Sequence, residues 1–244
     1  MTFETTQRLA ASVALAAVTL FGVPAVSAAD LVAGNIIKLS NGPGNGPGGE
    51  FIASFLDNSG SFSTFCLEYN EYFSYGQSLK VQAINTAAVS GGVSGGNPDP
   101  ISYQTAWLYT QFRNGTLSDY GGANIVNDAD SLQNAFWFLE GEVTSLGSNP
   151  SGSNLTVSEL AQAQTWVNQA NAAVAGSWGN SIGNVRVLNL LREGSVGSGN
   201  FNTQAQDQLY LLTPVPEPEI YAMMGLGLGL MGFVARRRKQ QAAA

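Results

Sequence analysis

Two apolar segments, one near each end, decide which part of this chain can fold as a water-soluble body. Near the N-terminus Arg8 precedes the apolar run Leu9–Val23, and Pro24 and the small-residue stretch Ala25–Asp30 follow. The run is shorter than the roughly 20 residues of a membrane span. Its basic flank, with Val26 and Ala28 (or Ser27 and Ala29) ahead of a cut, suits a signal peptide over 1–29. Near the C-terminus the uncharged segment Ile220–Ala235 leads into Arg236, Arg237, Arg238 and Lys239. As a short transmembrane helix it would keep that basic end in the cytoplasm by the positive-inside bias. Between the two lie roughly 185 residues, enough for one domain, or two small ones, with a proper core.

The tail has a further pattern. Val215, Pro216, Glu217 and Pro218 form a Pro-Glu-Pro turn just ahead of the apolar segment and its basic cluster. Turn, span and cluster, over 214–240, resemble the PEP-CTERM sorting signal. The resemblance implies export from a Gram-negative, exopolysaccharide-producing bacterium, with transient anchoring in the inner membrane. It also implies an exosortase that cleaves near the Pro-Glu-Pro and leaves the ectodomain at the cell surface or outside the cell. Exosortase and the secretion machinery are then the expected partners.

Composition narrows the ectodomain. Lys38, Lys80, Arg113, Arg186 and Arg192 face seven aspartates and seven glutamates between Asp30 and Val215. So acidic a body is a poor partner for nucleic acid or an anionic membrane face. The chain has no histidine. That removes Ser-His-Asp and Cys-His nucleophiles, imidazole zinc sites and the usual general base near neutral pH. Neither a cofactor nor a metal site is expected, and an enzyme is the less favoured class.

Pattern divides residues 30–213 into strands (30–90), helices (101–176) and strands again (182–213). The segments 31–40 and 50–58 carry β-branched and aromatic residues, and the Gly/Pro loop 41–50 between them suits a hairpin with a flexible connection. A third strand within Phe62–Tyr72 would put Phe65, Leu67 and Tyr69 on one face and Phe62, Thr64, Cys66 and Glu68 on the other. Ser102 suits an N-cap, with Asn114-Gly115 as the stop. Asp128, Asp130 or Ser131 would cap a second helix, placing Gln133 in its first turn. Thr156 and Glu159 form a capping box for a third, whose stripe runs Leu160, Ala163, Val167, Ala170, Val174 and ends at Gly176. The expected class is α+β: a β-rich, sandwich-like body with a helical insertion.

Cys66 is the only cysteine. It cannot form an intramolecular disulfide, and a free exposed thiol would react outside the cytoplasm, so Cys66 is either shielded or used. The string Phe65–Leu67, together with Leu132–Trp137 (LQNAFW), resembles the paired signatures of the Cys-Gln thioester domains of bacterial surface adhesins. The resemblance implies an internal thioester between Cys66 and Gln133, formed with loss of ammonia and able to trap surface amines. Ala135 and Trp137 would be packing members of the motif, and Phe65, Phe136 and Trp137 an apolar wall against water. The plainer alternative is a small buried cysteine and a glutamine in a capping box with Asp130.

Other groupings are weaker. Glu68 with Glu71, or Glu140 with Glu142, could form a glycosidase carboxylate pair, and Asp128 and Asp130 could lend oxygens to calcium or serve as turn and cap residues. Tyr69, Tyr72, Phe73 and Tyr75 could stack on sugar or belong to core and rim. The expected function is a structural or adhesive surface protein of an exopolysaccharide matrix or biofilm, with exopolysaccharide or surface amines as targets. The alternative is a secreted carbohydrate-binding module or glycoside-active enzyme.

Overall fold

The computed structural model describes residues 31–45, 48–57, 59–148 and 155–213. The signal peptide and sorting tail read from the sequence, including Val215–Pro218 and Arg236–Lys239, lie outside them. Among the described residues no helix is long and apolar enough to cross a membrane.

Among the described residues eight strands and three α-helices follow in order: β1 (Ile36–Asn41), β2 (Phe51–Phe55), β3 (Ser61–Thr64), β4 (Ser78–Asn85), β5 (Ala87–Ala88), β6 (Asp99–Pro100), α1 (Tyr103–Arg113), α2 (Ile125–Leu139), α3 (Val157–Ala175), β7 (Val185–Glu193) and β8 (Phe201–Leu211). The helices sit between strands, as the sequence pattern implies. Six strands form one antiparallel sheet in the order β3-β2-β1-β4-β7-β8, and β5 pairs with β6 separately.

The sandwich expected from the sequence is replaced by a single sheet whose two edges meet. Past β3 the chain runs on beside β8: Leu67 N–H donates to Asp207 O, Leu209 N–H to Phe65 O, and Cys66 stands opposite Gln208 in a bridge. All six strands of this closed, barrel-like sheet turn residues into one interior core, among them Leu39, Ala53, Phe62, Leu79, Leu190 and Tyr210. Closure needs sharp local bending, and register shifts at Val81/Ala83 and Leu188/Leu190 supply it. The second shift also changes which face successive residues of β7 and β8 point to. Val187 and Leu209 face the helices, while Leu190 and Ala205 face the interior.

The second layer is the helical insertion. Phe65, Leu67, Val187 and Leu209 meet Leu108, Tyr109, Leu132, Phe136 and Trp166 in a core outside the barrel wall. Alternation along Phe65–Leu67 therefore holds as expected, with Cys66 in the interior core and its neighbours against the helices. Ser102 caps α1 through Thr105 N, and the Thr156/Glu159 capping box opens α3. Along α3 the buried residues are Ala163, Trp166, Val167 and Ala170, whereas Leu160 is 38% exposed.

Helix α2 differs from expectation. It begins at Ile125 after a short 3-10 turn, with Asn124 as an N-cap that makes no side-chain bond. Asp128, Asp130 and Ser131 are inside it, and Gln133 is two turns from its start. The first-turn position of Gln133 and its capping box with Asp130 are thereby overturned. The sequence "GGANIV" carries no Ser, Thr or Asp cap, so the nearest acidic residues mislead about where the helix starts.

Tyr109 of α1 pins the closure: its hydroxyl lies 2.9 Å from Ser63 O and 3.0 Å from Leu209 O. Tyr109→Phe should lower unfolding free energy by about 1–2 kcal/mol with an unchanged fold. Urea denaturation of the two proteins measures it.

Candidate functional site

Gln133 and Cys66, 67 residues apart in sequence, are in contact. At its bridge with Gln208, Cys66 directs its own N–H and C=O away from β8, where no further strand stands. The Gln133 carboxamide fills that place. Cys66 N–H donates to Gln133 Oε1 at 3.1 Å, and Gln133 Nε2 donates to Cys66 O at 2.9 Å. A side-chain amide carries the same donor and acceptor as a peptide and here replaces a neighbouring strand. Cys66 is 0% and Gln133 1% exposed.

The thiol takes a different direction. It packs in the interior core, where Gln208 Nε2 approaches Cys66 Sγ at 3.6 Å. Burial pushes the thiol well above its ordinary pKa, with the Gln208 amide and the cysteine's own backbone pulling the other way. The resting cysteine is thus a neutral thiol. Gln133 is also too far along α2 for the free N–H groups of the helix start to aid a thiolate, the role that a first-turn position would have allowed.

The expected wall divides. Trp137, one turn after Gln133, flanks it and meets Tyr69 edge-on with ring centroids 5.0 Å apart. Phe65 and Phe136 meet at a tilt with ring centroids 5.2 Å apart, and with Ala135 they belong to the core between barrel and helices rather than around the thiol. A lid that the sequence does not advertise comes from the Gly/Pro loop 41–50. Asn45 N–H donates to both Asp130 oxygens at 3.0 and 3.1 Å. A Cβ on Gly48 would stand 2.5 Å from Gln133 Cγ and 2.6 Å from the Trp137 ring. Only glycine admits this approach, so the described part of the loop is a fitted cover rather than a slack connection.

The carboxylates regroup as well. Glu140 receives Ser102 N–H and hydroxyl, the latter at 2.7 Å, at the start of α1. Asp128 receives Gly121 N–H at 2.9 Å. Glu71 faces Asp207, receiving its N–H at 3.4 Å, and burial first, then Asp207, pushes Glu71 up to about 7. Glu68 is brought to Glu142 instead of Glu71, and the two are 3% and 2% exposed. Neither carboxylate pair drawn from sequence neighbours forms an open catalytic dyad.

Gln133→Ala should cost about 2–4 kcal/mol, because it leaves two buried main-chain groups of Cys66 unpaired beside a cavity. Cys66→Ala keeps both main-chain bonds and should cost nearer 1 kcal/mol. Chemical denaturation compares them, and equal losses would point instead to a bond made by both side chains.

Comparison with known proteins bears on the tail. Residues 214–239 match the model of the PEP-CTERM protein-sorting motif. No curated protein and no solved structure matches the chain.

Proposed function

We propose that this exported exosortase substrate is a structural or adhesive component of the cell surface and its polysaccharide matrix. The observation that carries the reading is the junction at residue 213. The last strand, β8, ends at Leu211, and the sorting motif begins at 214, so cleavage near Pro216-Glu217-Pro218 frees an intact folded body. The motif supports export and exosortase processing, and the acidic, histidine-free body fits display outside the cell better than turnover of a substrate. A glycoside-active reading gains nothing from Glu68 and Glu142, which are too buried to reach a glycosidic bond.

In this reading adhesion is covalent, through Cys66 and Gln133. The Cys66 sulfur attacks Gln133 Cδ, the carboxamide C–N bond breaks, and the thiol proton leaves with Nε2 as ammonia. A surface amine then attacks the thioester, forming an amide and restoring the thiol. Support comes from the Gln133 carboxamide lying against Cys66 under the cover of Gly48 and Trp137. The step requires the carboxamide to leave its two main-chain bonds and the thiol to turn out of the barrel. Gln208 is the group placed to favour the thiolate.

Replacing Pro216-Glu217-Pro218 by alanines should leave an unprocessed, membrane-associated precursor in the native host, seen by fractionation and immunoblot. Normal processing would sink the sorting part. Intact mass of the full chain in amine-free buffer should show loss of one ammonia, restored in Cys66→Ala and in Gln133→Ala. A full mass with one thiol titratable after unfolding would sink the covalent step and leave the non-covalent adhesive reading standing.

A further inference from the structure

Just past the closing segment, the chain leaving Cys66 places Glu68 beneath Gly92 of the loop Ser90–Gly96. Glu142, just past α2, reaches the same point and gathers three segments. Its carboxylate receives Tyr69 N–H at 2.8 Å, Val93 N–H at 3.0 Å and Ser94 N–H at 3.2 Å. Asn70 Nδ2 adds a bond to Gly92 O at 2.9 Å. A Cβ on Gly92 would overlap Glu68 Oε2 and both Glu142 oxygens at once, all three falling under 3.0 Å from one point. The two carboxyl groups therefore converge on one point beneath that glycine.

Glu142 has its donors, but Glu68 Oε2 is buried with no hydrogen-bond partner. Two ionised carboxylates cannot rest against each other in a buried site. The groups acting on Glu68 are Glu142, Asp99, Glu71 and Asp207, all acidic. Three N–H donors already occupy the Glu142 oxygens, which leaves little for a calcium ion needing six or more oxygen ligands. A proton fits the gap.

We propose that Glu68 and Glu142 share one proton, donated from Glu68 Oε2 to the Glu142 carboxylate, and that this acid pair latches the Ser90–Gly96 loop to the segment that closes the barrel. Protonated Glu68 satisfies its orphan oxygen and removes the repulsion that would push Glu142 from the loop. Burial first, then Glu142, raises the Glu68 carboxyl from its ordinary 4.5 to about 9. The folded state therefore holds a proton that the unfolded chain has lost between those two values. Stability is greatest below the unfolded value, falls as pH rises across the window, and the native latch itself opens near pH 9. The loop is closed at neutral and acidic pH and loosened by alkali.

The test uses the full-length protein, labelled with carbon-13 at the glutamate carboxyls and followed by NMR from pH 4 to 10.5. Glu68, identified by the signal missing in Glu68→Gln, should titrate near pH 9. The Glu142 carboxyl and the Val93 and Ser94 amides should shift at the same pH. Equilibrium unfolding adds a second reading in the window pH 7.5–9, above the raised values of Glu71 (about 7) and Asp207 (about 6). There the folding constant of the wild type should fall relative to Glu68→Gln by up to about tenfold per pH unit. Titration of Glu68 near 4.5 would overturn the proposal. So would a high titration to which Glu142 and the loop amides do not respond, since that is burial without sharing.

Discussion

The main-chain N–H and C=O of Cys66, held by the carboxamide of Gln133, join the two halves of this molecule. The sheet can close only if the segment after β3 lies beside β8, and doing so leaves one edge of that segment facing the helices. Buried peptide groups there would each cost about 1–3 kcal/mol if unpaired. Gln133 removes that cost from within α2, so the contact that completes the barrel also fixes where the helix docks. Phe65 and Leu67 anchor the helical core from the same three residues, and Cys66 fills the barrel interior. Both cores thus depend on one short segment.

That dependence explains why the cysteine is both isolated and hidden. Its environment offers a neutral thiol an apolar seat and offers a thiolate the Gln208 amide and its own backbone N–H. Of the residues expected to shield a reactive bond, Trp137 lies over the pair, while Phe65 and Phe136 pack in the core between barrel and helices. Trp137 and Gly48 cover the glutamine, and the barrel interior encloses the sulfur. Any chemistry between them has to begin with a rearrangement at the closing segment, which ties reactivity to the strength of the closure that Tyr109 and Gln133 maintain.

Much of this was legible from residue pattern. The β-α-β division, the Ser102 and Thr156 starts, the Asn114-Gly115 and Gly176 stops and the alternation around Cys66 are local properties, and each is found where periodicity and capping chemistry put it. The start of α2 was not, because Asn124 caps it without a side-chain bond and the acidic residues that look like caps bind neighbouring loops instead. Strand β4, with its mixed sequence "SLKVQAIN", lacks a clean alternation because a register shift interrupts it. Barrel closure was invisible for a deeper reason: it rests on pairing between residues 65–67 and 207–209, which no window of sequence contains.

The two glycine-rich stretches show the same limit from the opposite side. Composition marks both as loose connections, since glycine adds backbone freedom and no side chain to pack. In the fold each brings a glycine against a buried polar group that any other residue would displace: Gly48 over Gln133, and Gly92 over Glu68 and Glu142. Backbone packed this closely can exclude water from a polar contact without adding bulk of its own. The acidic composition has a parallel explanation. Glu68, Glu71 and Asp207 have raised proton affinity because burial, more than any one neighbour, disfavours their charge. A chain counted as strongly acidic therefore carries less negative charge in its folded body than its sequence implies, and the difference is concentrated beside the segment that closes the barrel.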